Sequence, residues 1–176
     1  MTKESRLSSC PLFPNNSFLL IDWKPIIFFI TIKYMNKTII CLYATANCGK
    51  TKTIRSLFAK LGGDKILLDK SRDIVGVVNF GNKKIGFVSE GDPGSPQWEN
   101  IEPMAQNKCD IIVTASRTKG DTVYNICDIA NKYGYTVVWI SPFYFYDVQY
   151  ASEKLCEYFA ERNADSIAQY IIDKLI

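Results

Sequence analysis

The sequence predicts an α/β domain: a three-layer fold with a mainly parallel sheet, helices on both faces and a β-hairpin that adds an antiparallel strand at the edge. Three observations lead there. Short apolar runs alternate with amphipathic stretches of helical period, the pattern of repeated strand–helix units. The runs are almost continuously apolar, as strands buried on both faces must be. Between two of these units lies a pair of short runs separated only by turn residues.

Taken in order, "TIICLY" (38–43) is the first strand, with Ile39, Ile40, Cys41 and Leu42 in succession. "ATANCGKTKT" (44–53) follows, and then Ile54, Leu57, Phe58 and Leu61 fall at i, i+3, i+4 and i+7 on one helix face, with Gly62-Gly63 as the stop. "DKILLD" (64–69) is short and apolar enough to be a second strand. Ile74 to Phe80 and Ile85 to Ser89 read as the hairpin, with turn chemistry at Gly81-Asn82. "SPQWENIEPMAQNK" is a short helix with Ser95 as N-cap, Pro96 at the first helical position and Pro103 to end or kink it. "CDIIVTAS" is a buried strand, "DTVYNICDIANKYG" an amphipathic helix closed by Gly134, and "YTVVWISPF" a further buried strand. The C-terminal part, from 148 onward, is helical, with Ile167, Ile171, Ile172 and Leu175 on one face.

The stretch Ala44 to Thr51, "ATANCGKT", fits G-x-x-x-x-G-K-[ST] everywhere except at Ala44. It resembles the Walker A motif of the P-loop nucleoside triphosphate hydrolases, and it lies between a buried strand and a helix as that motif requires. A chance match in a chain of this length has a probability of roughly 1%. The resemblance implies a phosphate cradle at Ala44, Asn47, Cys48, Gly49, Lys50, Thr51 and Lys52. Within it, Gly49 permits the turn, Lys50 reaches the β- and γ-phosphates and the Thr51 hydroxyl ligates Mg²⁺. Cys48 sits where a helix N-terminus stabilises a thiolate, and serves either as a small loop residue or as a reactive thiol.

Such a site also needs a carboxylate at the carboxyl end of a neighbouring strand. "IGFVSEGD" brings Ser89, Glu90 and Asp92 to its end, whereas "DIIVTASR" brings Thr114, Ser116 and Arg117. The first is therefore similar to the Walker B element, with serine where aspartate is commonest. Glu90 polarises a water or holds one bound to Mg²⁺, and Asp92 is the reserve; turn residues in front of Pro93-Gly94 are the plain alternative. Arg117 suits the stabilisation of a transferring phosphoryl group, or is a surface arginine. No N-K-x-D follows a late strand and no D-x-x-G follows the hairpin, so the nucleotide is ATP by default and GTP second. Few arginines are available as a lid: Arg72 and Arg117, with Arg55 and Arg162 on helices. A compact Mg²⁺-dependent ATPase leads. A small-molecule or nucleotide kinase, and a non-catalytic nucleotide-binding or protein-interaction module with aromatics in "SPFYFYDVQY", stay open.

Composition narrows the chemistry. With 176 residues and 47% hydrophobic content the chain suits one domain with a packed core. It contains no histidine, which removes histidine bases and most zinc sites. Six cysteines without a C-x-x-C pair fit a reducing cytosol. A net charge of +3 does not indicate nucleic acid. Residues 1–34 read differently from 35–176, which form the single domain. "FLLIDWKPIIFFITIKY" is interrupted by Asp22, Lys24 and Pro25 short of a membrane span, and the stretch before it makes a poor signal peptide. "MNKTIICLY" suggests Met35 as the natural start, with residues 1–34 as upstream sequence.

Overall fold

The computed structural model describes residues 37–70, 73–144 and 153–175. Five strands form one sheet: β1 (Thr38–Tyr43), β2 (Val75–Phe80), β3 (Lys83–Val88), β4 (Ile111–Ser116) and β5 (Thr136–Ile140), in the spatial order β2-β3-β4-β1-β5. Neighbours β3–β4, β4–β1 and β1–β5 run parallel, and β2 pairs antiparallel with β3 at the edge. Phe80 opposes Lys83 across the two-residue turn Gly81-Asn82, where Gly81 takes φ 59°. That positive φ is what a tight hairpin asks of its turn residues. The α/β class and the antiparallel hairpin edge are thus as the sequence predicts.

Side-chain alternation divides the core between the two faces of the sheet. Ile40, Leu42, Ile85, Phe87, Ile111 and Val113 pack with Ile54, Leu57 and Phe58 of α1 (Lys50–Lys60) and Ala164, Ile167 and Ile171 of α5 (Glu153–Leu175). Ile39, Cys41, Val88 and Ile112 pack with Ile101 and Met104 of α3 (Gln97–Gln106) and Ile126, Ile129 and Ala130 of α4 (Asp121–Tyr133). Helices therefore cover both faces, and the central strands are buried because they meet one layer on each side.

Several local expectations are corrected. "DKILLD" is not a strand: Lys65–Lys70 is a short helix, α2. Asp64 accepts the Ile66 backbone N–H at 2.8 Å, and this side-chain bond starts a helical turn at the residue that opens the segment. Ser95 does not cap α3; its hydroxyl donates to the Asp92 carbonyl at 2.7 Å, and Pro96 is the N-cap. Pro103 does not end α3 but lies inside it, on the exposed face. β5 is the second sheet edge and is half-buried rather than buried, because only β1 pairs with it. On α5, Ile167 and Ile171 are buried whereas Ile172 is exposed. The N-terminal stretch 1–34, Met35, Arg72 and Phe145 to Tyr150 lie outside the described residues.

Candidate functional site

Parallel strands release their chains at one end of the sheet, and four of these exits surround a cavity of about 830 Å³. It is lined by Asn47 to Thr53 after β1, Ser89 to Asp92 after β3, Arg117 after β4 and Phe143 and Tyr144 beyond β5, with the first half of α5 as a wall. Ligands of open α/β sheets bind at this end. β2 runs the other way, so its amino end reaches the same place and brings Asp73.

The loop after β1 is shaped by two positive backbone angles, Asn47 at φ 59° and Gly49 at φ 73°. Gly49 is the N-cap of α1; no side chain caps this end, and its first turn carries no acid. The helix therefore presents its positive end to the cavity. Lys50 is only 7% exposed, and its ammonium donates to the carbonyls of Ala44 at 3.0 Å and Thr45 at 2.5 Å. Burial holds Lys50 below its ordinary pKa of 10.5 and the nearby Arg117 charge adds to this, while Cys48, Asp92 and Cys41 pull in the opposite direction. Thr51 and Lys52 line the cavity, and Lys52 also approaches Glu153 at 3.8 Å. Ala44 is buried, and its N–H bonds the Ser116 carbonyl at 3.3 Å, stitching the loop to β4. Cys48 is buried; its thiol lies 3.0 Å from the Thr45 hydroxyl and donates to the Ala46 carbonyl at 3.4 Å. That sulfur is a packed part of the loop.

The end of β3 is built differently. β4 lies between β3 and β1, so the acidic loop is one strand removed from the phosphate-type loop and not beside it. Two features bring it back across. Gly91 lies against the Ala115 backbone so closely that a Cβ would stand 2.7 Å from the carbonyl carbon and oxygen. The buried Gln97 amide donates to the Ala115 carbonyl at 2.6 Å, serving an oxygen that β3 has stopped reaching. Glu90 accepts from the Asn100 amide at 2.6 Å. Asp92 accepts from Arg117 through both Nε at 2.9 Å and Nη2 at 2.8 Å. Glu90, Asp92 and Arg117 nevertheless line the same cavity as Lys50 and Thr51, although β3 does not neighbour β1.

Asp73 and Gln97 were not legible as site residues. Asp73 is placed by the direction of β2, and Gln97 by a bond to a carbonyl 18 positions away. Phe143 is 71% exposed with its ring centroid 5.7 Å from that of Phe159, so the aromatic stretch after β5 is not simply core at this residue.

The donor chemistry suits a hard, oxygen-loving cation. Thr51 offers a hydroxyl, and Asp73, Glu90 and Asp92 offer carboxylates in one cavity. Among the described residues no group of three or more Cys, Asp or Glu side chains is placed to enclose a metal by itself. Mg²⁺ fits that arrangement, since it takes one or two protein oxygens and fills its shell with phosphate and water. No helix among the described residues is long and apolar enough to cross a membrane. Compared with family models, curated proteins and solved structures, the chain finds no match.

Proposed function

We propose that this chain is a small P-loop NTPase of the cytosol that binds Mg²⁺-ATP, or less readily GTP, at the loop Ala44 to Thr51 and hydrolyses it. The observation that carries the reading is the buried Lys50 ammonium. It is held by the loop's own carbonyls at the positive end of α1, in a cavity that also contains Arg117 and three carboxylates. A lysine desolvated in this way is stabilised when anionic oxygens arrive. In the proposed complex Lys50 turns from Ala44 and Thr45 to the β- and γ-phosphates, Thr51 donates an oxygen to the cation, and Arg117 exchanges Asp92 for a phosphate oxygen. Bound Mg²⁺ supplies charge neutralisation at the phosphates. Glu90 orients the attacking water from the end of β3.

Glu90 is also the feature that favours a second reading. Its carboxylate is already engaged by Asn100, which suits a domain that binds nucleotide without turning it over. A kinase acting on an uncharged hydroxyl compound uses the same phosphate grip and differs in what occupies the rest of the cavity.

Calorimetric titration of the full chain with Mg²⁺-ATP and Mg²⁺-GTP, beside Lys50→Ala, tests the proposal. ATP should bind the wild type, and Lys50→Ala should weaken it about a hundredfold, the worth of one or two charge-assisted hydrogen bonds. Equal affinity in the variant would remove the loop from the site. ADP formation then separates the readings: ADP with inorganic phosphate in water alone marks the ATPase, ADP with a phosphorylated product only when a hydroxyl acceptor is added marks the kinase, and no ADP marks the binding module.

A further inference from the structure

Ser89 is buried at the end of β3, and its hydroxyl stands between two groups of the neighbouring strand. It accepts the Ile74 backbone N–H at 2.8 Å and contacts the Asp73 carboxylate at 2.9 Å. The Ser89 N–H in turn donates to the Ile74 carbonyl at 2.9 Å. An ionised carboxylate only accepts, so the serine proton points to Asp73 and the N–H of Ile74 occupies an oxygen lone pair. Three bonds thus lock the Asp73–Ile74 corner to Ser89. Asp73 and Ser89 both line the cavity that holds Thr51, Lys50 and Glu90.

Resting on the nucleotide reading above, we infer that Asp73 is the carboxylate that orients the hydrated Mg²⁺ of the bound nucleotide, and that Ser89 is its positioning residue. Chain direction explains how the carboxylate arrives from outside the parallel strands. β2 is antiparallel, so the residue before it stands beside the residue after β3, and a serine at 89 reaches a carboxylate that a parallel β2 would leave at the opposite end of the sheet. Mg²⁺ keeps several waters when it binds phosphates, and these need acceptors fixed in direction. A carboxylate held by a buried hydroxyl is such an acceptor, in the way that groups behind a metal's ligands set their orientation.

The experiment is calorimetric titration of the full chain with ATP, once with Mg²⁺ and once with EDTA. The ratio of the two affinities measures what the cation contributes. Asp73→Asn should lower that ratio about tenfold, in line with losses on removing groups behind a metal's ligands. It should leave the affinity in EDTA equal or tighter, since a negative charge near phosphate has gone. Ser89→Ala should lower the ratio less. Ser89→Asp in the Asp73→Asn background should restore it by supplying the carboxylate from β3. An unchanged ratio in Asp73→Asn, or equal weakening with and without Mg²⁺, overturns the inference and leaves Asp73 a structural corner. Wild-type chain that binds ATP in neither buffer overturns the nucleotide reading itself, and the inference falls with it.

Discussion

Lys50 joins the chemistry of the loop to a measurable proton. Its folded-state pKa lies below the ordinary 10.5, chiefly because burial disfavours the ammonium. Between that lowered value and 10.5 the unfolded chain binds more protons than the folded one. Stability of the nucleotide-free protein is therefore expected to rise with pH through this window. In the proposed complex phosphate oxygens would favour the charged form and raise the pKa again, so ATP binding is expected to take up a proton in the same window. Affinity is then expected to fall as pH rises through the lowered pKa, by up to about tenfold per pH unit. Titrations in buffers of different ionisation enthalpy would count the proton directly. Affinity independent of pH up to 10.5 would show that Lys50 does not meet the phosphates. The lysine was legible because its motif is local: eight consecutive residues carry the turn, the charge and the hydroxyl. Asp73 and Gln97 were not, since their places follow from strand direction and from a carbonyl on another strand, and neither leaves a short-range pattern.

Among the elements, those with a long apolar period were read directly. Ile54, Leu57, Phe58 and Leu61 are all buried where the helix face requires, and Ile111 to Ser116 are buried throughout. Short segments were ambiguous. "KILLDK" holds one β-branched residue, and the Asp64 bond to Ile66 tipped it to helix. β5 has the composition of a buried strand, but burial depends on whether a neighbour lies beyond it, and sequence order does not reveal that. α3 carries a consequence of its own. Pro103 cannot donate to the Glu99 carbonyl, yet the helix continues, with Asn107 N–H on the Pro103 carbonyl at 2.9 Å. Both Glu99 and Pro103 are exposed, on the side of the helix where solvent can reach an oxygen that lacks its helical donor. Replacing Pro103 with alanine restores a donor and removes the ring from the preceding turn, against some gain in freedom of the unfolded chain. The net expectation is about 1–2 kcal/mol of added stability, seen as a rise in melting temperature of roughly 2–8 °C. A lower melting temperature would mean that the core against Ile101 and Met104 is fitted to a bend which the proline sets.

At the scale of the molecule, the cavity gathers residues 47–53, 55, 73, 89–92, 95, 96, 117, 143, 144 and, from α5, 155, 156, 159, 160 and 163, which are far apart in sequence and meet only when the sheet is assembled. A cavity lined by so many segments exists only in the folded chain. The unfolded state therefore has little affinity for nucleotide, and binding must appear as stability of the whole fold. At a free Mg²⁺-ATP concentration one hundred times the dissociation constant, linkage gives about 2.7 kcal/mol. For a chain of this size that corresponds to a rise in melting temperature of roughly 5–11 °C. The rise should grow with the logarithm of ligand concentration and be followed equally by far-ultraviolet circular dichroism, reporting helices, and by tryptophan fluorescence, since Trp98 and Trp139 lie on different elements. A shift in only one of these signals would show a site that stabilises its own walls while the rest of the sheet unfolds independently. An equal shift with Lys50→Ala would place the nucleotide elsewhere on the surface. Coincident shifts lost in that variant would tie the loop to the fold as a whole, because the same sheet end that aligns β1, β3 and β4 also aligns the groups that line the cavity.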